Sequence, residues 1–244
     1  MKKLTSLILL LIVLFAVNNS FAQPKLIIHL TGGYDVPSAN LGGNSNWNTS
    51  TPNDNYFYQK SGFHFGADGK YYLGKKGNFG ITLGLNYLMF NSGDLAITGS
   101  TVTEKIKFNS FTAGLGAEWG FLPKGKANPF IGAEFTGNFY GGKYTPSDGS
   151  TEQTLKSGSR FGASFGAGVD WHVSKNIGVV IGGKYAMMNL IGKKDTSDTY
   201  TAGSTEHPLW DKAYGTMNAM NLSYIQFYAG VSFYLMQPKA TVKK

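Results

Sequence analysis

Cysteine is missing from all 244 residues. Its absence excludes disulfides, thiolate metal sites and the acylated N-terminal cysteine of a lipoprotein. Charge is scarce: Asp, Glu, Lys and Arg together make up 15% of the chain. Acids are the rarer sign, 14 against 22 bases, for a formal net charge of +8. Past the first 22 residues, no apolar run approaches the ~18 residues that mark a helical membrane span. The four histidines (His29, His64, His172 and His207) stand on separate segments without a His-x-x-x-His spacing. No metal site is therefore expected. No glycine-rich phosphate loop is present either, and no cofactor is expected.

What is abundant is glycine and aromatic side chains: 33 Gly, 17 Phe and 14 Tyr. That mixture suits a glycine-aromatic β protein better than a helical one. The first 22 residues are set apart. Lys2 and Lys3 precede an apolar run, Leu7 to Val17, too short to span a bilayer comfortably. Ser20-Phe21-Ala22 then places small residues where a signal peptidase reads them. Residues 1–22 are read as a signal peptide cleaved before Gln23. The alternative is an uncleaved N-terminal anchor. With an export signal and lysines scattered through turns, nucleic acid is not an expected partner.

The remainder shows a period of two. Phe63, Phe65 and Ala67, then Phe79, Ile81, Leu83 and Leu85, and later Ile225, Phe227, Ala229, Val231, Phe233 and Leu235 alternate with Gly, Ser, Thr and Asn. Period two is the signature of β-strands. Eight strands are expected, over residues 25–36, 58–73, 79–91, 106–121, 129–144, 158–173, 177–190 and 222–236. Each exceeds the 9–11 residues a tilted membrane strand needs. The connections alternate between short turns and long polar loops, as in outer-membrane barrels. Three strand ends repeat Gly-x-x-aromatic-x-apolar: Gly116 to Phe121, Gly168 to Val173 and Gly230 to Leu235. Similar strand environments and duplicated hairpins both account for this repeat.

Over residues 63–73, 79–89, 111–121, 131–139, 161–173, 177–187 and 225–235 the odd-numbered face carries no Asp, Glu, Lys or Arg. The even-numbered face carries Asp68, Lys70, Glu118, Glu134, Arg160, Asp170 and Lys184, with His64 and His172. Four acids against three bases is close to balance. A soluble barrel would turn the apolar face inward and need an outer face rich in Lys, Glu and Thr. Here the polar face is rich in glycine, which suits the crowded inside of a narrow barrel. Aromatics also fall at both strand ends. Tyr71, Trp119, Phe121, Trp171 and Phe233 lie near the short turns, and Tyr34, Tyr87, Tyr185 and Tyr224 lie toward the loops. Two such girdles are a membrane feature. The expected fold is therefore all-β: an eight-stranded antiparallel transmembrane up-and-down β-barrel over residues 23–236, with residues 237–244 as a short periplasmic tail.

The signal peptide, the strand number, the alternating loops and the terminal Gly230-x-x-Phe233-x-Leu235 together resemble the small bacterial outer-membrane β-barrel families, of the outer membrane protein X and W kind. The resemblance covers nearly the whole mature chain. It implies outer-membrane residence, lipopolysaccharide as surrounding lipid, and a monomer. Gly230, Phe233 and Leu235 resemble the assembly signal read by the outer-membrane insertion machinery.

Two readings of the lumen residues stand side by side: an ion-paired interior that fills the barrel, or a narrow conduit through His64, His172 and their acidic neighbours. His207 lies near Ser204, Glu206 and Asp211, but these match no lipid-hydrolase or protease motif, and no catalytic residue is assigned. Trp47, Lys193, Lys194, Trp210 and Lys212 are the loop residues suited to contact a glycan, an anionic headgroup or a host surface. The expected function is a structural or surface-interaction barrel displaying four extracellular loops. The alternatives are a narrow channel for small or hydrophobic solutes and, less favoured, a lipid-modifying enzyme.

Overall fold

The computed structural model describes residues 24–42, 59–74, 76–93, 95–96, 103–145, 152–194, 206–207, 209, 211–212 and 219–236. The proposed signal peptide, the C-terminal tail, Trp47, Ser204 and Trp210 lie outside the described residues. Eight long strands form the wall: β1 (Leu26–Ser38), β2 (Ser61–Leu73), β3 (Phe79–Asn91), β4 (Thr103–Gly120), β5 (Ala127–Thr145), β6 (Gln153–His172), β7 (Ile177–Ile191) and β8 (Leu222–Leu235). Each pairs antiparallel with its sequence neighbours, and β1 pairs with β8, so the sheet closes on itself. This is an eight-stranded up-and-down barrel. No described helix is long and apolar enough to cross a membrane.

The alternation in sequence becomes two faces of one wall. Phe63, Leu115 and Ile181 are 59%, 61% and 64% exposed on the outside. Asp68, Lys70, Glu118, Arg160 and Asp170 are buried inside. A soluble barrel would reverse this arrangement. Strand β1 follows the same rule with the opposite parity: Leu30, Tyr34 and Val36 face out, while Ile27, His29 and Asp35 face in. Tyr34 meets Phe63 edge-on at 5.4 Å, and Phe135 stacks on Phe161 at 5.7 Å. Cross-strand aromatic pairs of this kind add about 0.2–1 kcal/mol each to the register.

Turns and glycines set the details. Gly74 (φ 71°) and Gly77 (φ 62°) adopt left-handed backbone in the β2–β3 turn, where a side chain would be strained. At Gly230 a Cβ would collide with the Leu30 carbonyl oxygen across the β1–β8 seam. Glycine there lets the last strand close tightly on the first. The chain enters and leaves the barrel at the short-turn end, where Leu26 faces Leu235.

The structure corrects some boundaries. Strands β4 and β6 begin earlier than alternation indicates, so the connection after β5 shrinks to residues 146–152. Above the apolar zone both faces are polar and the pattern fades, but backbone pairing continues, as between Lys143 and Thr154. Strands β4, β5 and β6 thus reach 18, 19 and 20 residues, against 13 for β1, β2 and β3. Glu206–His207 adds a short parallel strand beside Thr154 and Leu155 at the top of β6. Tyr224 is also corrected: it is 4% exposed and points into the lumen, not into the outer aromatic girdle. Its even position on β8 places it there, beside Gln226 and Tyr228.

Leu115 lies near mid-height on the outer face. Replacing it with Lys should lower folding stability in vesicles by about 2–4 kcal/mol, measured by reversible urea unfolding. The same exchange at the outward-facing Asn109, close to the loop end, should cost less than about 1 kcal/mol.

Candidate functional site

The site is built in the lumen, where inward side chains of all eight strands converge. At the short-turn end, Asp170 of β6 accepts three hydrogen bonds. His29 Nε2 donates at 2.9 Å, Ser232 Oγ at 2.6 Å and the Tyr234 hydroxyl at 2.9 Å. Beside it, the Tyr72 hydroxyl donates to Glu118 at 2.7 Å, and Lys70 pairs with the same carboxylate. The Lys70 ammonium also sits 3.6 Å from the centre of the Phe130 ring. His172 stacks on Tyr234 at 3.9 Å between centroids. The imidazole therefore lies flat against a ring.

At mid-height Lys184 stands between two acids, 3.2 Å from Glu134 and 3.8 Å from Asp68. Ser164 donates to Glu134 at 3.0 Å. A cavity of about 40 Å³ lies between this layer and the one below, lined by His29, Asp68, Lys70, Glu118, Glu134 and Lys184 among others. That is room for a few waters and not for a substrate. Higher still, His64 Nδ1 donates to both oxygens of Asp35, at 3.0 and 3.2 Å. Thr112 donates to Asn138, which in turn donates to Thr136 and to the Met188 carbonyl.

The loop end is closed by a cap. Leu41, Leu88, Phe90, Phe108, Met188 and Tyr224, with others, form the largest buried apolar cluster among the described residues. Phe90 meets Tyr224 edge-on at 5.5 Å, and Phe108 stacks on Tyr140 at 5.8 Å. The long connection from β7 to β8 descends onto this cluster through Leu209 and Asp211. The Asp211 carboxylate is fully buried. It accepts from Arg160 Nε at 3.0 Å and Nη2 at 2.8 Å, from Asn189 at 2.7 Å and from the Lys194 amide at 2.8 Å. Arg160 also donates to the Leu209 and Ser159 carbonyls.

The structure thus places every lumen residue expected from sequence inside the barrel, but divides them among layers instead of joining them in one network. It also corrects the charge balance. Asp35 and Asp211 join Asp68, Glu118, Glu134 and Asp170, so six buried or half-buried acids face Lys70, Lys184 and Arg160 among the described residues. Two imidazoles, His29 and His64, donate to Asp170 and Asp35. Sequence reasoning missed Asp35 and His29 because β1 has the opposite parity. Their own alternation with Leu30, Tyr34 and Val36 carried the signal. Asp211 sits in a loop without periodicity and gave none.

Of the His207 group, Ser204 and the side chains of Glu206 and His207 lie outside the described residues. The Asp211 carboxylate is held by Arg160, Asn189 and the Lys194 amide. Among the loop candidates, Lys193 Nζ donates to Asn221 at 2.7 Å, and the Lys194 backbone holds Asp211. Both are parts of the cap. Lys212 is exposed. In the terminal motif, Gly230 lies at the seam, and Phe233 and Leu235 face outward.

A family model described as outer membrane protein beta-barrel domain matches residues 7–233. No curated protein matches the chain. Among solved structures, the chain is similar to Neisserial surface protein A, at 13% identity over 86% of this chain and 97% of the other, with a TM-score of 0.45. It is also similar to the attachment invasion locus protein Ail of Yersinia pestis, solved with the heparin analogue sucrose octasulfate, at 12% identity over 86% and 99%, TM-score 0.44. The outer membrane protein OprG of Pseudomonas aeruginosa matches at 11% identity over 88% and 98%, TM-score 0.47.

Removing one partner of the Arg160–Asp211 pair leaves a buried charge unmatched. Asp211→Ala and Arg160→Met should each cost about 3–5 kcal/mol in denaturant unfolding. The double variant should cost less than the sum by about 1–3 kcal/mol, the coupling that a double-mutant cycle reads.

Proposed function

The chain belongs to the outer membrane protein beta-barrel domain family and resides in the bacterial outer membrane; from that premise we propose that it is a non-enzymatic surface-interaction barrel, a sealed cylinder that displays four extracellular loops. The observation that carries this reading is the filled lumen. Side chains bridge wall to wall at successive heights, and the cavity among the mid-height ion pairs is about 40 Å³. An eight-stranded barrel is only wide enough for such filling. Charges held there need partners, since an unpaired one costs several kcal/mol. The interior is thus occupied with balancing its own charges, and specificity is left to the loops.

The orientation follows from the chain ends. Both meet at the short-turn end, the side from which an exported chain inserts, so the long connections face outward. Loop residues Trp47, Trp210 and Lys212 remain the candidates for a glycan or host-surface ligand. Lys193 and Lys194 act in holding the cap. Gly230, Phe233 and Leu235 fit recognition by the insertion machinery, because Phe233 and Leu235 are exposed on the terminal strand. The barrel carries out this role as a monomer surrounded by lipopolysaccharide. Residues 1–22 are removed on export, and residues 237–244 form a periplasmic tail.

The reading is tested in planar bilayers. The folded protein should give no steady single-channel events at moderate voltage. Steady conductance that persists after purification in a second detergent would replace the sealed cylinder with the channel reading. The triple variant Trp47→Ala, Trp210→Ala, Lys212→Gln should abolish glycan or cell-surface binding while the heat-modifiable electrophoretic mobility of the barrel is retained.

A further inference from the structure

The outer face is uncharged from the short turns up to Met89, Phe111 and Phe139. Just above, a row of ladder partners changes character. Asn91 faces Lys107, and Lys107 in turn faces Lys143. Two lysines directly opposite each other on neighbouring strands repel, and such pairs destabilise a sheet. Glu152 supplies one carboxylate, bonded to the Lys143 ammonium. That pair is about half exposed, so its own contribution is small. The Lys143 hydrogen bond draws the Glu152 carboxyl below its ordinary range. Among the described side chains, one acid thus faces two cations.

Beneath the lysines the wall is concave. An open groove of about 670 Å³ runs along Tyr87, Phe111 and Phe139, with Lys107 and Lys143 at its upper edge. Its depth comes from small residues. Gly141, Gly142, Gly158 and two serines line it, at the point where the β5–β6 register slips between Tyr140 and Gly142. A second groove of about 560 Å³ adjoins it, shares Lys107 and Asn109, and adds Lys60. Height places the row at a boundary. From the Phe79–Trp119 pair to the Asn91–Lys107 pair, strand geometry at a tilt of about 40° climbs roughly 30 Å, against an apolar band of about 25 Å. The aromatics therefore lie at acyl-chain depth and the ammoniums at headgroup level.

We infer that this groove binds a phosphorylated glycolipid of the outer leaflet, with a phosphate held between Lys107 and Lys143 and an acyl chain lying along Phe111 and Phe139. Lipopolysaccharide supplies this chemistry in its phosphorylated lipid A. The phosphate relieves the lysine repulsion, which the exposed Glu152 offsets only in part. Charge-assisted contacts to phosphate at the edge of lipid are stronger than the same contacts in water. Ser157 and Ser159 add hydroxyls at the level of the sugar. The inference deepens the surface-interaction reading and rests on its placement of the loops outside; it does not depend on a sealed lumen.

The experiment is native mass spectrometry and titration of the folded full-length chain in detergent, with diphosphorylated lipid A, its dephosphorylated form and inorganic phosphate as probes. The diphosphorylated lipid should bind with one-to-one stoichiometry, and the double variant Lys107→Gln, Lys143→Gln should weaken it about tenfold. Glu152→Gln should tighten binding by freeing Lys143, and it keeps the proposal testable if the double variant folds poorly. Lys124→Gln, in a short turn at the opposite end, should change nothing. Equal binding of the dephosphorylated lipid, unchanged affinity in the double variant, or no gain with Glu152→Gln would each overturn the site. Saturation by inorganic phosphate alone at the lipid's affinity would overturn its assignment to a lipid. Channel conductance bears on the lumen alone, so a conducting barrel that passes these tests would refute the sealed-cylinder reading and leave this one intact.

Discussion

Every backbone N–H and C=O that meets lipid must find its partner within the protein, because the bilayer core offers none. Closure of the sheet through the β1–β8 and β3–β4 ladders meets that demand. The remaining features follow from it. A closed sheet of eight strands has a fixed, narrow girth. Its outer side chains are left for lipid, and its inner ones must fit one another. The glycine at position 230 serves the seam itself, allowing the last strand to approach the first where any side chain would meet the Leu30 carbonyl.

The narrow girth determines the electrostatics. Among the described residues, six acids converge on a space that holds three lysine or arginine side chains, and the arrangement works by subdivision. Asp170 is surrounded by neutral donors and an imidazole, Asp35 is matched with His64, Glu134 and Asp68 share Lys184, and Asp211 takes a forked hydrogen bond from Arg160. The other carboxylates are thus hydrogen-bonded locally, while one Asp68 oxygen has only its 3.8 Å ion pair with Lys184. Local satisfaction keeps single losses from spreading between layers, except at the cap, where Asp211 also orders the backbone of the long connection.

Much of this was legible in the sequence, because a membrane wall obeys a simple rule. The uncharged odd positions from Phe63 to Leu235 identified the lipid face, and Asp68, Lys70, Glu118, Glu134, Arg160, Asp170 and Lys184 were read as lumen residues from the same alternation. The rule failed where its physical cause ends. Above the lipid, neither face of β4 to β6 needs to be apolar, so alternation did not mark where those strands begin. Strand β1 is rich in small and polar residues, and its reversed parity hid His29 and Asp35. Tyr224 was assigned to the aromatic girdle by residue type, although its even position on β8 places it with Gln226 and Tyr228 inside. Asp211 shows a further limit: a loop residue that becomes part of the core has neither period nor neighbours to mark it. The lipid groove depends on cross-strand register and a bulge, which a linear chain does not display.

The unequal strand lengths have a consequence for how the molecule stands among its neighbours. A cylinder with a level rim would look the same from every direction in the plane of the membrane. This one has a high side, where β4, β5 and β6 rise past the end of β3 and the Glu206–His207 segment extends the parapet, and a low side formed by β1, β2, β3 and β8. Rotation about the membrane normal is therefore no longer a neutral motion. Among the described strands, a large molecule arriving from the side of β4 to β6 meets a β-sheet standing upright, and one arriving from the opposite side meets a lower wall. In its strands the barrel has a front and a back.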